Sequence, residues 1–218
     1  MQASDAPGPR NRRRIVVLVV VLAILTGAAI VAVFVERYTP LEAGSAFLGP
    51  EGSFCTNGSA PGEEGPTCQV AYAHGKITSI SFSVRNDGFW GVTVVDFPIL
   101  HQSVHSLFKV SSATVTDTSD PDAVAVTFKP FALKSGDERL ISLYGIFTDC
   151  EWYSAGSGNG YDGVVVRYRV AWASHEATIP FPSRVHVISP PDADCPVERS
   201  ADLKSPTPIA TPTFTPSP

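Results

Sequence analysis

Beyond its first residue the chain has no methionine, and its four cysteines never fall at C-x-x-C spacing. The first lack counts against the thioether-rich sites of copper carriers. The second removes the close ligand pairs of structural zinc and dithiol redox centres. G-x-S-x-G, H-E-x-x-H, Walker and dinucleotide-binding patterns are missing too, so the linear sequence offers no catalytic constellation and calls for no cofactor. Triads assemble from distant positions and leave no such trace; on its residues the chain reads as no enzyme. Positive charge is scarce after residue 14, with 12 basic against 20 acidic side chains. An acidic body lacks the basic face that nucleic acid requires. After residue 36 there is no amphipathic helix of convincing length.

What the chain does have begins with an uncharged run, "IVVLVVVLAILTGAAIVAVFV". About twenty apolar residues cross a bilayer as a helix, the one open form that satisfies its own backbone in lipid. Residues 1–14 form a polar tail with Arg10, Arg12, Arg13 and Arg14, and a basic cluster flanking an apolar run on one side puts that side in the cytoplasm. Residues 15–36 therefore read as a signal-anchor in the cell membrane's lipid bilayer, N-terminus inside. A cleaved signal peptide is the competing reading. Its small-residue site, Gly27-Ala28-Ala29, would lie inside the run, and that stretch could equally serve helix association. Either way the remainder is extracytoplasmic.

Outside the cytoplasm an even cysteine count reads as disulfides. Cys55, Cys68, Cys150 and Cys195 allow three pairings, and the nearest-neighbour one, Cys55–Cys68 with Cys150–Cys195, is favoured. Residues 37–68 are rich in Gly and Pro with little periodicity, which suggests a stalk ending in a Cys-bounded loop. Asn57-Gly58-Ser59 fits a glycosylation sequon and, more plainly, a turn. Residues 191–218 are rich in Pro, Thr and Ser and are expected to be disordered.

From residue 69 to 190 the pattern has period two, as in strands with one buried face. The alternating residues give the predicted core: Ile80, Phe82, Val84, Val92, Val94, Val124, Val126, Phe128, Ile141, Leu143, Val164, Val166, Tyr168 and Val170. Trp90 and Trp172 continue the same alternation. Asn86-Asp87-Gly88 reads as the turn of a hairpin, and "KSGDE" as another. Further strands are expected near residues 108–116 and 185–188. Seven or eight short strands predict an all-β, antiparallel two-sheet sandwich behind one transmembrane helix.

The stretches "ITSISFSVRNDGFWGVTVVDF" and "FALKSGDERLISLYG" resemble bacterial extracytoplasmic immunoglobulin-like domains. There a strand ending in an Asn/Gly turn precedes a Val-rich strand, and a later Gly-acid turn opens another. The resemblance covers residues 69–190. It implies an immunoglobulin-like fold and an extracytoplasmic compartment, and carries over no catalytic or binding residue.

Three groups of side chains invite a function. The Gly-rich segment 154–164 is a long loop between strands, and with Trp152, Tyr153 and Tyr161 it offers aromatic anchors for another envelope protein or a polymer. The acids Asp149, Glu151 and Asp162 nearby lack EF-hand spacing. His101 and His105 suggest a metal or small-ligand carrier; their i, i+4 spacing would share a helix face but on a strand separates them by about 13 Å. Ser106 and Lys109 match S-x-x-K, but no helix start is expected there and the partner motifs come in the wrong order.

Overall fold

The computed structural model describes residues 9–56, 65–102, 105–120 and 122–197. The sequon at residues 57–59 and most of the Pro-rich tail lie outside them. Helix α1 (Pro9–Arg37) takes in the apolar run. Val16, Leu18, Leu22, Leu25 and Ile30 are exposed around its whole circumference. A helix apolar on every side belongs in a core or in lipid, and no core covers this one. By length and composition it could span a membrane over Val16–Arg37.

Eleven strands follow among the described residues: β1 (Leu41–Leu48), β2 (Phe54–Thr56), β3 (Thr67–Ala71), β4 (Ile77–Asn86), β5 (Val92–Asp96), β6 (Phe108–Asp117), β7 (Val126–Thr127), β8 (Phe131–Leu133), β9 (Glu138–Phe147), β10 (Gly158–Val170) and β11 (Ala173–Ile188). They form two sheets, in the orders β1-β4-β9-β6-β7 and β2-β3-β11-β10-β5-β8. This is a two-sheet β-sandwich. Its inner faces meet in one core, where Phe82, Val84, Ile141 and Leu143 of the first sheet share a cluster with Val94, Val166, Tyr168 and Ile179 of the second.

Four expectations need correction. The sandwich is not wholly antiparallel, because β3 runs parallel to β11, from Thr67↔Arg184 to Ala71↔Ile188. The described part of residues 37–68 is not a stalk: it supplies β1, which pairs with β4 at an edge of the first sheet, β2 and the start of β3, with the expected loop bounded by the Cys55–Cys68 disulfide. Gly and Ser blurred the alternation there. Gly44 is needed, since a Cβ at that position would overlap the Ser83 and Glu138 side chains. Val124 and Val126 are not core, being 80% and 60% exposed, because Val124 precedes β7 and the two-residue β7 leaves Val126 open at the sheet edge. Phe128 is half buried against Phe97 and Phe131.

The last correction concerns Asn86-Asp87-Gly88. β4 and β5 lie in different sheets, so the segment is a corner rather than a hairpin. Residues 134–137, between β8 and β9, make a second corner at the same place. One side chain latches both. Asn86 is fully buried; its Nδ2 donates to the carbonyls of Trp90 and Leu133, at 2.8 and 3.0 Å, and its Oδ1 accepts from Gly88 N. Its backbone pairs with Asp137 O and Gly136 N. A buried amide with every group satisfied fixes a chain crossing that apolar packing alone would leave loose.

The register gives the sandwich two distinct ends. Leu41, Asn86, Glu138, Val92 and the β10–β11 turn at residues 171–172 cluster where α1 joins. Phe108, Phe147, the start of β10 and the end of β11 lie at the other end.

Candidate functional site

The far end is built around the segment at residues 105–108, which has little strand pairing and is held by side chains. Asp149 Oδ2 accepts from Ser106 N at 3.2 Å, and Asn159 Oδ1 accepts from Leu107 N at 3.0 Å. Tyr153 Oη donates to His105 O at 2.8 Å. Tyr161 Oη lies 2.6 Å from Ser106 Oγ and donates to Phe108 O. Burial pushes the Tyr161 hydroxyl above its ordinary range against those hydrogen bonds. Asp149 sits in the left-handed region at φ 59° and leads into a short 3-10 helix at Cys150–Trp152. The Cys150–Cys195 disulfide pins this turn to the segment after β11.

On this frame Trp152 is half exposed and stacks on the His105 imidazole, ring centroids 4.0 Å apart at 17°. The His105 ring also faces Asp149, with Nδ1 to Oδ2 at 3.6 Å. The three aromatic residues expected from the sequence thus lie around one segment in different roles. Trp152 presents an exposed face. Tyr153 and Tyr161 are partly buried against the core and brace the backbone beneath it.

His101 and His105 engage different carboxylates. His101 Nε2 lies 3.0 Å from Asp96 Oδ1, in a cluster that Arg167 and Glu176 complete. His74 hydrogen-bonds Tyr72 Oη at 2.8 Å. Among the described residues the one grouping with metal-ligand proximity is Cys150, Glu151 and Cys195, whose two sulfurs are joined in the disulfide. Ser106 lies just before β6 and Lys109 at its start, and Ser106 Oγ is taken up by Phe108 O and Tyr161. Asp162 pairs with Arg184, whose hydrogen bonds hold its carboxyl below the usual range despite some burial.

Two features were not foreseen from the sequence. A groove of about 630 Å³ opens between the edges of the two sheets, lined by Val124, Val126, Pro130 and Phe131 with Lys129 and Arg139 at its rim. Alternation hid it, because the same valines read as core. At the near end Phe34, Tyr38, Phe89 and Trp90 form a connected set of rings 5.0–5.7 Å apart. No short-range signal in the sequence joins residue 34 to residue 90.

No protein-family model matches the chain, and no curated protein matches it. A solved structure similar to it is the ASH / PapD-like domain of human CEP192 (PapD-like domain 7), at 10% identity, covering 61% of this chain and 82% of that one, with a TM-score of 0.28. At that score the likeness bears on no function or site.

Proposed function

We propose that the chain is a single-pass, signal-anchored protein of the cell membrane, N-terminus in the cytoplasm, whose extracytoplasmic sandwich is a non-enzymatic binding or scaffolding module for another envelope protein or polymer. The observation that carries this reading is the polarity of the domain. The apolar helix enters one end, and a braced aromatic platform, Trp152 on His105, occupies the other. Two disulfides fit an extracytoplasmic domain. Exposed, pre-ordered tryptophan is the usual anchor of a protein interface, because little side-chain entropy is lost on binding. The test is affinity capture of the tagged full-length chain from its native membranes, beside the Trp152→Ala variant. A partner recovered with the parent chain and lost with the variant, at an unchanged unfolding midpoint, supports the reading. Recovery indifferent to Trp152 removes the platform from the interface.

A further inference from the structure

We propose that the near end of the sandwich is a lipid-docking surface, in which Phe89, Trp90 and Trp172 sit in the headgroup boundary of the bilayer that α1 crosses and hold the domain against it. This rests on the membrane-anchor reading and adds a second contact to it.

The connection between helix and domain is short. Three residues separate Arg37 from Leu41, and Val35, still within the helix, is 1% exposed. The domain therefore begins where the span ends. A span of 22 residues at 1.5 Å per residue is about 33 Å long, barely more than the roughly 30 Å hydrocarbon layer, so its last turn lies at the boundary. Phe34 is in that turn. The Phe89 and Trp90 rings lie 5.7 and 5.4 Å from the Phe34 ring, and rings in contact share a depth. Phe89 is 63% exposed, so the face it turns away from the protein is apolar and uncovered.

The set is fixed rather than free to swing away. Tyr38 Oη accepts from Trp90 N at 2.9 Å, Tyr38 O accepts from Tyr168 Oη at 3.1 Å, and Pro40 O accepts from Asp87 N at 3.0 Å. A Cβ on Gly88 would overlap Tyr38 and Pro40, so the loop can close on the helix only with glycine there.

The turn between β10 and β11 reaches the same end: Thr93 pairs with Arg169 and Val170 with Ala173, which sets residues 171–172 beside the start of β5. A hairpin tip in water favours Asn, Asp and Gly. This tip is Ala171-Trp172, both exposed, with Trp172 66% exposed and Ala171 in the left-handed region at φ 50°. An apolar tip on a strained backbone, level with Trp90, is suited to the interface, where tryptophan concentrates in membrane proteins.

The chain's three tryptophans make the test direct, since Trp90 and Trp172 lie at the near end and Trp152 at the far end. Full-length single-tryptophan variants, the other two changed to Phe, are reconstituted in vesicles whose acyl chains carry bromine near the carbonyl end. Lipid quenching of Trp90 and Trp172 emission, with Trp152 quenched by soluble iodide alone, is the expected result. If the chain resists alkaline extraction but Trp90 and Trp172 keep their emission in brominated lipid, docking is overturned and the anchor stands. If those two escape both quenchers, protein covers the surface and docking is again overturned. If alkali extracts the chain, the anchor reading itself fails.

Discussion

Asn86 is the residue on which the crossing between sheets depends. Its amide spans two carbonyls, of Trp90 and Leu133, that belong to chain segments leaving for different sheets. Truncation to Ala would remove the partner of both carbonyls and of Gly88 N, the bond to Leu133 O being the fully buried one. An unpaired buried group costs about 1–3 kcal/mol, so Asn86→Ala should lower unfolding stability by about that much. Asn86→Asp should do no better near neutral pH, because it replaces a donor with a charged acceptor facing two oxygens. Denaturant unfolding of the full chain in micelles reads both. Glu138 sets a second expectation. Burial pushes its carboxyl up, but hydrogen bonds from Ser83 and Ser45, with Arg85 nearby, outweigh that and leave it below the ordinary value. A carboxyl depressed in the folded state contributes stability above its unfolded pKa and loses it as pH falls through the folded one. Acid unfolding of the parent should thus show a fall at low pH that Glu138→Gln reduces; an unchanged slope in that variant would assign the fall to other carboxyls.

At the scale of elements, the alternating strands are legible in the sequence. Residues 141–143 and 164–170 alternate because each lies in a paired strand with one face buried and the other more open; in residues 80–84 the serines are buried as well, Ser81 against Ser142 and Ser83 against Ala46, so there the alternation separates apolar core from a covered polar face. Where alternation misled, the sequence carried the pattern without the pairing. Val124 and Val126 alternate like core residues, yet β7 meets β6 only at Thr114 and Val115. The corner at Asn86 was misread because a turn's residue types look the same whether the chain returns to its own sheet or crosses to the other. β1 was missed because Gly44 and Ser45 make room for Glu138 instead of packing apolar groups. At the far end the aromatic residues were legible by type; which of them braces and which is exposed depended on contacts remote in sequence. These environments predict opposite outcomes for similar truncations. Val126→Ala, at an exposed edge, should change stability by less than about 0.5 kcal/mol, and Leu143→Ala, fully buried in the central strand, should cost about 2–5 kcal/mol. Equal midpoints for the two would mean that Val126 is covered in the working protein, which would make the groove beside β8 a site of contact.

For the whole molecule the disulfides and the helix constrain one another. Cys55 and Cys68 face each other across β2 and β3, and Cys150–Cys195 closes a separation of 45 residues at the end remote from α1. In the chain-entropy account a loop of that length contributes about 3–4 kcal/mol. A domain with both bridges needs an oxidising compartment, and a basic N-terminal flank needs the cytoplasm on its own side. The proposed topology, a single span with its N-terminus inward, satisfies both. In intact cells a tag at the N-terminus should therefore resist external protease while one at the C-terminus is cut, once any outer barrier is opened. Acid-quenched cells treated with maleimide should show no free thiol on the chain until reductant is added. Thiols labelled without reductant would put the sandwich in a reducing compartment. The span would then have to run the other way, and the Trp152 platform would face partners inside the cell.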